Sequence, residues 1–166
     1  SKKTMIASVD LDFCRAFQAA PFPHAFFCPH GASASLLREE KEALYDVVML
    51  NSFIDAPKIA KSWPDKYSPA LISVLYEAAE RTLQEEEISY LNAFVEGVDA
   101  AIRRGESVDP TQIDHVQALD DLQAYLGGMS RLRWLGAIET HRVAIFGSDP
   151  EGWKRQFPHK KNLSFH

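Results

Sequence analysis

Cys28 and His30 stand one proline apart, which puts a thiol and an imidazole within reach of one soft or borderline metal ion. His24 precedes them on the same segment. Three carboxylate pairs, Glu39 with Glu42, Glu77 with Glu80 and Glu96 with Asp99, recur three residues apart. That interval places both acids of a pair on one helical face, an oxygen-donor arrangement that suits Mg²⁺. In the last quarter of the chain bases alternate with aromatics, from Arg131, Arg133 and Trp134 to Phe157. Trp153, Lys154, Arg155, Lys160 and Lys161 lie beyond the strongest helix signals and are the candidate partner-binding residues. Such mixing suits phosphate contact with base stacking. A chain of pI about 5.7 lacks the basic balance of a nucleic-acid domain, so an acidic protein surface fits better.

The Cys28-Pro29 pair resembles the short motif through which some proteins bind haem by the thiolate, which would make Cys28 and His30 cofactor-binding residues. The helical carboxylate pairs resemble those of the Mg²⁺-dependent all-α nucleotide pyrophosphohydrolases, which hold metal between two helices. No basic phosphate-binding cluster lies near the pairs in sequence. Other signatures are missing. No Glu-x-x-His motif of a di-iron bundle occurs, and Glu139-x-His141 points its side chains to different sides of a helix. The Gly-rich phosphate loop, the dinucleotide fingerprint, the zincin helix and the nucleophile elbow are absent as well. No family motif covers enough of the chain to assign one.

The elements that must carry these residues read as helices. At 166 residues with 46% apolar and 25% charged side chains, the chain is an ordinary globular one. Wholly apolar stretches such as Val47 to Leu50 are far shorter than the ~20 residues that span a bilayer. No signal-peptide core follows Lys2 and Lys3, so a cytoplasmic, membrane-free protein is expected, with Cys14 and Cys28 as free thiols. Ser8 is placed to cap a helix through Ala20, which Pro21 and Pro23 end. Ser35 opens a second helix from Leu36 to about Ile54, stopped by Asp55-Ala56-Pro57. A short helical piece, Lys58 to Trp63, follows. Ser68-Pro69 starts the strongest run, which continues to Arg104 with Leu75, Ala79, Leu83, Phe94 and Val98 on its apolar stripe. If that run is continuous, Glu80 and Glu87 lie near the edge of the stripe, and an inward carboxylate needs a cationic partner. A break at Glu85-Glu86-Glu87 would leave both at the surface.

Asp109-Pro110-Thr111-Gln112 repeats the cap-plus-proline signature for a helix that Gly127-Gly128 ends. Ser130 opens the next, Arg131 to Phe146, whose last residues Val143 to Phe146 read equally as strand. Asp149-Pro150 begins one more turn. The fold expected is all-α, a single compact bundle of about five to seven helices over 1-166. Segments 1-7 and 158-166 are expected to be loose termini.

Charge is divided unevenly. Tyr67 to Leu126 carries twelve acids and three bases, and Gly127 to His166 carries seven bases and three acids. Missing enzyme signatures and this polarity lean against catalysis and toward a non-catalytic helical binding or regulatory protein. It would act through a protein–protein surface, with a homo-oligomer allowed. A helical sensor for haem, a metal ion or a small apolar ligand is the alternative, and an Mg²⁺ hydrolase the third.

Overall fold

The computed structural model describes the backbone of Ile6–Ser8 and Ala25–Phe27, and residues 45–85 and 87–166 in full. In chain order the elements are β1 (Ile6–Ser8), β2 (Ala25–Phe27), β3 (Val47–Leu50), α1 (Ala56–Ser62), α2 (Pro69–Gln84) and α3 (Tyr90–Arg103). They continue with α4 (His115–Ala137), β4 (Val143–Phe146), α5 (Pro150–Gln156) and β5 (Leu163–Phe165). Helix dominates, but the protein is not all-α. β1 pairs with β2, and β3, β4 and β5 form a sheet in that order, with every pairing parallel. The described residues fall into two compact units, one built on 67–119 and the other on 45–66 with 120–166.

In the first unit, the Ser68 hydroxyl accepts from the Leu71 amide at 3.3 Å and Pro69 opens α2. Leu71, Val74, Leu75, Ala78 and Ala79 are buried. The expected run to Arg104 is two helices. Carboxylates at a helix C-terminus oppose its dipole, and α2 stops at the acidic run, where Glu85 turns extended. Ser89, fully buried, restarts the helix by accepting from the Asn92 amide at 3.2 Å. Glu80 and Glu87 are consequently exposed, and Glu80 accepts from Gln84 instead of an interior cation. α2 and α3 approach closely at Gly97, where a Cβ would sit 3.1 Å from Val74 Cγ1.

The second unit carries the larger correction. The segment expected to end a helix at about Ile54 runs as strand at Val47–Leu50. A four-residue apolar run has no readable period, and paired β-branched valines favour the pleated surface. The matching run at Val143–Phe146 resolves as the central strand, with Val143, Ala144 and Ile145 buried. Its register pairs Val47 with Val143 and Val143 with Leu163. Asp55-Ala56-Pro57 starts a helix, the Asp55 carboxylate accepting from the Lys58 amide. α4 begins at His115 after a turn at Asp109 and passes straight through Gly127-Gly128. Gly128 serves packing rather than termination. A Cβ on Gly128 would lie 2.9 Å from both Ala56 Cβ and the Ile54 carbonyl oxygen.

The carboxyl-terminal tail is not loose. Leu163 joins Leu135, Val143, Ile145 and Trp153 in the core beneath the sheet. Lys160 closes the end of α4 by donating to the carbonyls of Leu135, Gly136 and Ile138.

Candidate anion site at the carboxyl edge of the sheet

Parallel strands aim their carboxyl ends at one edge, and ligands of open α/β sheets bind in the crevice outside that edge. Here β3 runs out into Asn51-Ser52, β4 into Gly147-Ser148-Asp149, and β5 into His166. The first two turns are tied together by backbone: the Asn51 amide donates to Phe146 at 2.9 Å, and the Phe53 amide to Ser148 at 3.2 Å. Gly147 is required between them, since a Cβ there would overlap the Asn51 carbonyl. Asp149 then adopts left-handed backbone, φ 55°, and its carboxylate accepts from the Gly152 amide at 2.8 Å. A non-glycine residue held in that region costs on the order of 1–3 kcal/mol, and such strain gathers at functional turns.

Arg131 reaches this edge from α4, its Nη1 donating to the Ser52 carbonyl at 3.3 Å. Burial pulls its pKa below the usual arginine value. Arg81 and Arg104 move the other way, raised first by the hydrogen bonds they donate to Glu96 and Glu106. Among the described residues Arg131 has no carboxylate within 4.0 Å. A partly desolvated guanidinium held on the Ser52 carbonyl, with no carboxylate partner among the described residues, has the fork of N–H donors that suits an anion. The Ser52 and Ser148 side chains are exposed there. At the end of β5, His166 stacks on Phe146, ring centroids 4.6 Å apart, and its Nε2 lies 3.3 Å from the Tyr45 hydroxyl.

Cys28 and His30 lie outside the described residues, as do Cys14, Glu39 and Glu42. Trp153, expected on a partner surface, is 2% exposed and packs edge-on against Phe53 at 5.2 Å. Its bulk fills the core next to β4, which is why it cannot present itself to a partner. Lys160 is likewise committed to α4. Lys154 and Arg155 are exposed and pair with Glu151 and Asp149, while Lys161 is exposed. Of the described carboxylate pairs, Glu77 with Glu80 and Glu96 with Asp99, one acid of each meets an arginine. Glu96 meets Arg81 at 2.9 Å and Glu77 meets Arg104 at 3.4 Å. Among the described residues no three His, Cys, Asp or Glu side chains gather at metal-binding distance.

Ser52 and Ser148 were not singled out by sequence, while Arg131 stood only among the bases of the last quarter and Asp149 only as a helix start. The available signal was a repeated pattern: a short apolar run, then Asn-Ser or Gly-Ser-Asp, then a proline-opened helix. No helix among the described residues is long and apolar enough to cross a membrane. No family model, curated protein or solved structure matches the chain.

Proposed function

We propose that this protein binds a small phosphate-bearing molecule at the carboxyl edge of its parallel sheet. The observation that carries the reading is Arg131, a half-buried guanidinium fixed on the Ser52 carbonyl with no carboxylate among the described residues. Strand-end hydroxyls and a bidentate cation suit a tetrahedral oxyanion better than a planar apolar ligand. The test is calorimetric titration of inorganic phosphate and phenyl phosphate into the wild-type chain and Arg131→Met. Saturable binding that Arg131→Met abolishes and Arg131→Lys partly keeps is the expected result. Equal affinity in wild type and Arg131→Met would remove the proposal.

A protein-partner surface is the second reading, favoured by Trp134, which is 60% exposed on α4 next to Arg133. Large exposed aromatics anchor interfaces. Trp134→Ala should then abolish partner capture without lowering the melting temperature. Capture that survives Trp134→Ala argues against this surface.

A further inference from the structure

A separate cavity of about 210 Å³ lies wholly within the unit built on 67–119. Buried Phe94 and Val98, exposed Val95, and Leu119 give it an apolar lining, to which Asp99 and His115 add polar groups. The wall is fixed: His115 Nε2 lies 2.9 Å from the Pro110 carbonyl oxygen, and the imidazole meets the Phe94 ring edge-on, centroids 6.2 Å apart. Apolar cavities of ~150 Å³ lined by aliphatic and aromatic side chains accept benzene, so this one admits a single aromatic ring with a short substituent.

The charge around it selects the substituent. Tyr67 to Leu119 holds ten acids and three bases, a balance of 3 − 10 = −7. Asp99 is exposed, and no cation stands within 4.0 Å of its carboxylate among the described residues. A field of that sign concentrates cations and repels anions. We infer that this cavity is a second small-molecule site, one that takes a compact aromatic amine with its ring on Phe94 and its ammonium toward Asp99. It is independent of the sheet edge, whose ligand carries the opposite charge.

Phenethylamine and phenylacetate share a ring and differ in charge, so titrating each into the full chain by NMR separates pocket from field. Phenethylamine should saturate shifts of Phe94 and His115, with phenylacetate weaker by about fivefold, the ratio an exposed ion pair supports. Asp99→Asn should bring the two close to parity. Val95 is 58% exposed, so Val95→Trp can fill the mouth from outside and should abolish both. Equal affinity of the two probes in wild type, retention of the preference in Asp99→Asn, or no saturation by about 10 mM would each overturn the inference.

Discussion

Lys160 Nζ donates to the carbonyl oxygen of Ile138 at 2.7 Å, twenty-two residues earlier in the chain. The same ammonium also reaches Leu135 at 2.9 Å and Gly136 at 2.5 Å. Leu135 and Gly136 supply two of the last carbonyls of α4, which have no amide partner inside the helix and carry its negative dipole end, and Ile138 lies just past that end. The basic tail is therefore a helix cap that anchors the approach to β5. Lys160→Met keeps the aliphatic stem and removes the cap. Hydrogen bonds to a charged group contribute about 1.5–3 kcal/mol, so a loss of ~2 kcal/mol in chemical denaturation is expected. A change within ~0.5 kcal/mol, the range of ordinary surface substitutions, would show that solvent serves those carbonyls equally well.

Trp153 tests the core beneath the sheet. It is buried with Leu135, Val143, Ile145 and Leu163, and Phe53 packs on its ring. Trp153→Ala should cost about 3–5 kcal/mol, and Trp153→Phe clearly less. If the alanine variant melts within a degree or two of wild type, the indole is at the surface and the packing described for β4 and α5 is wrong.

The helices were legible where capping chemistry is strong. Ser68-Pro69 and Asp149-Pro150 each mark the start of a helix, and Leu75, Ala79, Phe94 and Val98 are buried as their period requires. Tyr76, next to Leu75 in α2, is 45% exposed, because the buried face is centred on Leu71, Val74, Leu75 and Ala78. The strands were not legible. Val47–Leu50 and Val143–Phe146 pair across nearly a hundred residues, and four apolar residues carry too little period to distinguish a strand from a turn of buried helix. The candidate anion site was hidden for the same reason. Ser52 and Ser148 become neighbours only through the parallel pairing, and Arg131 looked like one base among seven in a basic quarter.

Asp46 and Arg142 clamp the entrance to β3 and β4 and give a pH-dependent prediction. The Arg142 amide donates to Asp46 Oδ2 at 2.7 Å, and its guanidinium lies 3.4 Å from Oδ1. The amide first, then the guanidinium, hold the carboxyl below its ordinary value. A depressed folded-state pKa adds stability above the unfolded value of about 3.9, and that contribution fades as pH falls through the folded value. The melting-temperature gap between wild type and Asp46→Asn should accordingly be widest near neutrality and narrow below about pH 4. A gap constant from neutral pH to about pH 2.5 would mean the carboxylate's charge is not what holds the strands.

Ser89 separates α2 from α3, and its removal should be felt locally. The hydroxyl is fully buried and accepts from the Asn92 amide, one of the donors a helix start leaves orphaned. Ser89→Ala should cost about 0.5–2 kcal/mol, and Ser89→Asp, which keeps an acceptor but adds buried charge, should not restore stability. Amide exchange is the discriminating measurement. The first turn of α3 should lose protection more than the middle of α2, whereas uniform loss across both helices would mean the cap is not the local support described.

Gly128 and Gly136 lie in the same helix and should respond to alanine with opposite signs. Helix propensity favours alanine over glycine by up to ~1 kcal/mol, so on propensity alone both substitutions stabilise. At Gly136 no atom lies within 4 Å of the Cβ that alanine would add, and the propensity gain should appear, reduced by its place in the last turn. At Gly128 the new Cβ would stand 2.9 Å from both Ala56 Cβ and the Ile54 carbonyl oxygen, with Ile54 Cγ2 at 3.2 Å. Two of those three neighbours belong to a fully buried alanine and to backbone, neither of which can rotate aside. Overpacking of that kind costs about 1–3 kcal/mol, more than propensity returns. Gly128→Ala should therefore lower the melting temperature while Gly136→Ala holds or raises it. Stabilisation by both would show that α4 does not approach the segment Ile54 to Ala56 closely, and that Gly128 is tolerated rather than required.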